Sequence, residues 1–244
     1  MANNELSGPA VLNALLSYVK SFKKRKFTYR FVMLPETIGS ISYLSKYYKV
    51  LKKRMILGYN LSCLGDNKAY SVIKGPNQPC LSFTAINSVL KKEKNYKIFS
   101  YLERGSDERQ YCSPGIDLPV TGFCRSKYNQ YKEYHTSLDN LNIISQKNLE
   151  DSLNKLKIII DCLELDLFPK SKILCEPFLS KRNLYPKISH YDFTKKASES
   201  MDLRKDILSY ANGKRNIFEI SEIINQDILD VYNECKILKT NRLI

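Results

Sequence analysis

The chain has 244 residues, 43% hydrophobic, 11% aromatic and 26% charged. That composition excludes a disordered chain and suits one domain of ordinary size plus a small second one. No apolar run is long enough to span a membrane, and Met1-Ala2-Asn3-Asn4-Glu5 lacks the basic-then-apolar pattern of a secretory signal, so a soluble cytoplasmic protein is expected.

Gly8-Pro9 opens a helix in which Val11, Leu12, Leu15, Leu16 and Val19 recur at helical spacing. Phe27 to Leu34 reads as a strand. A helix then covers Ser40 to Lys53, with Ile41, Leu44, Tyr48 and Leu51 on one face. Met55 to Leu64 is a strand apolar enough for burial on both sides. Next come a helix from Leu81 to Lys92 and strands at Tyr96 to Leu102 and Leu118 to Cys124. The longest helix runs from Gln146 to Leu165, with Leu149, Leu153, Leu156, Ile160 and Leu163 as its stripe. Alternating helices and strands predict a mostly parallel sheet flanked by helices. Residues 171–200, with Pro177 and Pro186, read as an extended connection. Beyond them, Leu203 to Tyr210, Ile217 to Asn225 and Asp227 to Lys239 read as short helices around an Asn212-Gly213 turn, a helix-turn-helix or winged-helix module.

The formal charge of +14 comes from 39 Lys and Arg against 25 Asp and Glu. Its basic residues are scattered, as in Lys23-Lys24-Arg25-Lys26 and Lys52-Lys53-Arg54, without a nucleic-acid-binding signature. Seven cysteines (Cys63, Cys80, Cys112, Cys124, Cys162, Cys175, Cys235) include no CxxC pair and read as reduced thiols packed as small apolar groups.

Open parallel sheets bind ligands at the carboxyl ends of their strands. Glu36, in Pro35-Glu36-Thr37-Ile38-Gly39-Ser40, sits between a predicted strand end and a helix start. There it is placed as a general base or metal ligand, or simply as an acidic residue favoured by the helix dipole. Asp66, in Ser62-Cys63-Leu64-Gly65-Asp66, has the same two readings. Arg104-Gly105-Ser106-Asp107-Glu108-Arg109-Gln110-Tyr111 is a dense polar loop in which Asp107 can pair with Arg104 or Arg109. His135, in Tyr134-His135-Thr136-Ser137-Leu138-Asp139, has Asp139 and Glu133 nearby as carboxylates to orient a metal-binding imidazole, or it is plain polar surface. His190 reads as structural.

In this order, Ala2-Asn3-Asn4-Glu5-Leu6-Ser7-Gly8-Pro9, Pro35 to Ser40, Arg104 through Leu118 and Tyr134 to Asp139 resemble bacterial proteins with a zinc aminopeptidase-like domain from polysaccharide-biosynthesis clusters. That domain is in turn similar to the co-catalytic zinc aminopeptidases, and family members end in a small winged-helix-like module. The resemblance implies zinc as cofactor, Glu36 as base or ligand, His135 as the late ligand and Asp66 as a weaker ligand, because the ligand position aligns nearer Ser62. Asn4 stands at the position of the bridging Asp, and a neutral amide cannot bridge two cations. Asp107, Glu5, Arg104, Arg109 and Asp139 fall beside the metals or the substrate. The family's first His lies upstream of the Asn-Asn-Glu-Leu-Ser-Gly motif, so the chain resembles the downstream part of a longer protein. That makes a missing N-terminal half or a homo-oligomer partner expected.

The expectation is therefore an aminopeptidase-like α/β domain, N-terminally truncated, at residues 1–180, a connection at 181–201 and a winged-helix-like module at 202–244. Its function would be that of a zinc-dependent aminopeptidase-like hydrolase, incomplete in this chain, on a peptide or amide-bearing glycan precursor. One alternative is a catalytically degenerate binding or assembly protein of polysaccharide biosynthesis. The other is a nucleic-acid-binding regulator, disfavoured because residues 227–239 offer Lys236 and Lys239 against Asp227, Asp230 and Glu234.

Overall fold

The structure, a computed structural model, describes residues 1–184 and 191–244, and side chains for all of these except 191–199. His190 and Pro186 lie outside the described residues. The chain divides into two compact units, Met1–Ile159 and Ile160–Ile244.

The first unit is built on a sheet of four short strands, β1 (Gly58–Leu61), β2 (Tyr70–Ile73), β3 (Tyr96–Phe99) and β4 (Val120–Cys124), in the order β1-β4-β2-β3. β1 runs parallel to β4 and β2 parallel to β3, whereas β2 and β4 are antiparallel. The mostly parallel sheet of the sequence reading is thus a mixed one with a single antiparallel seam. The central strands β2 and β4 are buried along their whole length, Ser71 and Thr121 included.

Two strand expectations are corrected. Phe27 to Leu34 is not a strand, because an extended segment becomes one only through a hydrogen-bonded neighbour and none of the four strands pairs with it. Glu36 therefore follows no strand end. Conversely β2 was not expected: it is four residues long, with no alternation long enough to read.

Helices α1 (Ser7–Lys20), α2 (Ile38–Arg54), α3 (Leu81–Leu90), the single turn α4 (Glu108–Tyr111) and α5 (Gln146–Asp166) complete the first unit, α5 continuing past its end. A π-helical turn at Ala2–Leu6 leads into α1. Val11, Leu15 and Val19 form the buried stripe of α1. Gly8 lies so close to the end of β1 that a Cβ there would run into the Leu61 carbonyl oxygen. In α2 Leu44 and Leu51 are buried as expected, but Ile41 faces solvent.

The second unit contains α6 (Tyr191–Tyr210), α7 (Ile217–Ile223) and α8 (Ile228–Thr240). α6 is longer than the expected Leu203–Tyr210. Asn216 caps α7 by accepting from Phe218 and Glu219 N–H while Glu219 accepts from the Asn216 N–H, a reciprocal capping box. Ile207, Ile217, Phe218, Ile220, Ile228, Val231 and Leu238 form the core of this unit. Among the described residues no helix is long and apolar enough to cross a membrane.

Candidate functional site

The residues that the sequence singled out gather beyond the ends of β1 and β4, on the segments 2–8, 34–39, 62–68, 104–109 and 125–139. Two buried carboxylates organise this place. Asp139 accepts from the Asn3 and Asn4 backbone N–H groups (2.6 and 3.2 Å) and from the Tyr131 hydroxyl (3.1 Å). It thereby pins the π-helical turn. Asp66 accepts from Asn3 Nδ2 (3.1 Å), Lys68 N (2.9 Å), and Ser126 N and Oγ (3.0 and 2.7 Å). With its lone pairs occupied this way, Asp66 ties the end of β1 to the end of β4.

Asn3 completes that tie from the other side: its Oδ1 accepts from Gly65 N at 2.8 Å, and it is fully buried. Next to it, Asn4 donates from Nδ2 to Glu5 Oε1 (2.7 Å) and accepts from the Cys63 thiol (3.5 Å). Burial pushes the Cys63 thiol up to about 12, so it stays protonated and acts as a donor rather than a nucleophile.

A second cluster joins segments 34–39 and 104–109. Asp107 Oδ1 accepts from Thr37 N at 2.8 Å, and Arg109 donates to Thr37 Oγ1 at 2.8 Å while its guanidinium lies 3.9 Å from Glu36. Between Asp107 and Arg109, Glu108 is fully buried. It accepts from Asn60 on β1 (2.8 Å), from Gly105 and Ser106 N (3.0 and 3.2 Å) and from the Tyr128 hydroxyl (2.5 Å). Three consecutive residues thus reach three different parts of the chain. Arg104 does not join them: it is exposed, stacked on Tyr101 and bonded to the Tyr101 carbonyl.

His135 is exposed, its ring stacked on Tyr134 with centroids 3.9 Å apart. Neither expected carboxylate orients it, because Asp139 is held by Asn3, Asn4 and Tyr131, and Glu133 accepts from Lys68 at 2.9 Å. Lys68 holds the Glu133 carboxyl below its ordinary value. The Tyr134 phenol is raised above its ordinary value, first by burial and then by the negative charge that Cys63, Glu36 and Glu5 can carry. Tyr134 therefore packs on His135 and Tyr131 and lies within electrostatic reach of both clusters.

Thr37, Cys63 and His135 all have left-handed backbones, with φ of 63°, 52° and 56°. Such conformations cost non-glycine residues roughly 1–3 kcal/mol each and persist only where neighbours enforce them. Here the bonds to Thr37 from Asp107 and Arg109 supply that enforcement on one of the three.

These residues do not fit a zinc site by themselves. Among the described residues no three His, Cys, Asp or Glu side chains gather closely enough to hold a metal ion. The chemistry of the donors agrees, with Asn4 a neutral amide bound to Glu5 and Cys63, and with Asp66 and Asp139 saturated by N–H and O–H donors. Sequence reasoning missed Asn3, Glu108 and Tyr134, although all three stand inside the segments it quoted.

Residues 1–166 match the family model described as a domain of unknown function (DUF4910), and residues 168–244 match one described as winged helix-turn-helix. The chain is 34% identical over 234 residues to a Clostridium acetobutylicum protein provisionally named a polysaccharide biosynthesis protein with aminopeptidase-like domain. That match covers 91% of this chain and 50% of the other, so the chain spans about half the length of the curated relative it matches. A crystal structure of a provisionally named peptidase from Clostridium acetobutylicum matches with a TM-score of 0.83 and 28% identity, covering all of this chain (100%) and 54% of that one. The aminopeptidase of Aneurinibacillus sp. strain AM-1 matches at a TM-score of 0.54 and 19% identity, covering 64% of this chain and 38% of its own. A zinc aminopeptidase of Bacillus subtilis matches at 0.55 and 19%, covering 65% and 41%. The last two share the aminopeptidase fold with this chain.

Proposed function

The chain belongs to the family described as a domain of unknown function (DUF4910), and from that membership we propose that it is an aminopeptidase-like domain that binds a peptide or amide-bearing glycan precursor in polysaccharide biosynthesis. The observation that carries this reading is the Tyr134 ring stacked on His135 within electrostatic reach of Glu5 and of Glu36 beside Arg109, with Thr37, Cys63 and His135 held in left-handed backbone conformations. Glu36 is half exposed beside Arg109 and is the base this chain offers to a nucleophilic water, while Arg109 and Tyr134 face the bound amide.

Hydrolysis is the finer part of the proposal. Zinc, when bound in such a centre, lowers the pKa of a water and polarises the scissile carbonyl. The described residues do not gather enough ligands for it, so zinc-dependent turnover is proposed only where a second polypeptide, such as another copy, supplies further donors. Without one, the domain binds or assembles.

The zinc content of the purified chain, with His135→Ala as control, separates the two. About one equivalent or more, lost in the control and accompanied by cleavage of aminoacyl-p-nitroanilides that Glu36→Gln abolishes, would establish a hydrolase. No zinc, with calorimetric peptide binding that Glu36→Gln retains, is the outcome expected of the isolated chain. Neither zinc, cleavage nor peptide binding would overturn the proposal.

A further inference from the structure

Lys127 follows β4 by three residues and is 95% buried by its 5% exposure, yet among the described residues its ammonium has no acidic partner. Among the described residues it makes no hydrogen bond or ion pair. Its Nζ lies 4.1 Å from the centre of the Tyr128 ring and 5.3 Å from that of Phe99. The other enclosed cations of this unit are paired: Arg125 with Asp151 at 3.1 Å, and Lys155 with Glu93. The buried carboxylates of this region are committed elsewhere: Asp66 and Glu108 to Ser126 and Tyr128, the residues on either side of Lys127, Glu133 to Lys68, and Asp139 to Asn3, Asn4 and Tyr131. Among the described residues the buried side-chain atoms that lack both solvent and partner are Ser40 Oγ, Arg109 Nε and Arg125 Nε, so the tip of Lys127 keeps a small opening to solvent while its stem is enclosed.

An ammonium left with only a small opening to water favours an opposite charge, and ring faces replace only part of its hydration. We propose that Lys127, walled by Tyr128 and Phe99, is a subsite for one carboxylate group of a small acidic ligand such as a sugar acid. A single compact ammonium with three donors matches one carboxylate, whereas phosphate groups are more often met by Arg forks or helix N-termini. Tyr128 links the subsite to the 104–109 loop, since its ring lies 2.6 Å from where a Gly105 Cβ would stand and its hydroxyl bonds to Glu108. The inference does not depend on the chain being a hydrolase.

The test is trace acetylation of the folded chain, followed by mass spectrometry, in galacturonate, acetate, phosphate or chloride at matched ionic strength. At twice its dissociation constant, galacturonate is expected to slow labelling of Lys127 about three-fold, with acetate acting in the same direction and exposed Lys132 unchanged. Phosphate is expected to behave as chloride does. Calorimetric binding of galacturonate should disappear in Lys127→Met, and if that variant fails to fold the wild-type footprint decides alone. Labelling of Lys127 that ignores both carboxylates, or that only phosphate slows, would overturn the proposal.

Discussion

At the scale of single residues, the site is a set of side chains that have already spent their polar capacity on one another. Glu108 is the clearest case: a fully buried carboxylate whose oxygens take four donors, none of them a Lys or Arg. Glu108→Ala would leave the Asn60 amide, two backbone N–H groups and the Tyr128 hydroxyl without a partner. A loss of about 3–5 kcal/mol follows, read as a lowered urea midpoint. A loss under about 1 kcal/mol would show that water takes over the donors and that Glu108 does not hold the loop. Asn4 follows the same logic, since a carboxylate in its place would face Glu5 across the contact where its amide now donates.

At the scale of elements, the approach of α1 to β1 decides how the segment bearing Asn3, Asn4 and Glu5 is presented. Ser7 Oγ accepts from Leu64 N at 2.7 Å, and Gly8 leaves no room for a side chain against Leu61. Gly8→Ala is therefore expected to destabilise the first unit by about 1–3 kcal/mol, through displacement of α1, despite alanine's better helix propensity. Thermal unfolding would check the sign, and a gain in stability would show that α1 is not held by this contact. β2 and β4 illustrate a related point: each is short and fully buried, and their antiparallel seam places the loop after β4, with Arg125 and Ser126, against Tyr70 and Asp66.

For the whole molecule, the packed thiols and phenols predict a limit on alkaline stability. Burial raises Cys63 and Cys112 in the first unit and Cys235 in the second from 9.0 to about 12. A raised thiol keeps its proton when folded at a pH where the unfolded chain has lost it. Its contribution is therefore complete below pH 9 and is lost as the pH rises through about 12. Tyr70, Tyr128 and Tyr131 are raised from 10.0 by burial as well and act with the same sign. Urea midpoints measured from pH 7 upward should hold to about pH 9 and then fall. A midpoint that rises between pH 9 and 11 would contradict the burial of these groups.

Most helix positions in the first unit were legible in the amino-acid sequence, because helical periodicity and local motifs are properties of neighbouring residues. The stripe Val11, Leu15, Val19 and the polar run Arg104 to Tyr111 are of this kind. The tertiary structure alone decided that Phe27 to Leu34 is no strand, that Tyr70 to Ile73 is one, and that Glu108 rather than Asp107 is the fully buried carboxylate. Each of these depends on a partner distant in the chain: a strand needs a neighbour to bond to, and a carboxylate becomes an interior hub only where donors from other segments converge on it. His135 shows the same division, for its motif was readable, but its stacking on Tyr134 and its lack of either expected carboxylate follow from how Asp139 and Glu133 were engaged elsewhere.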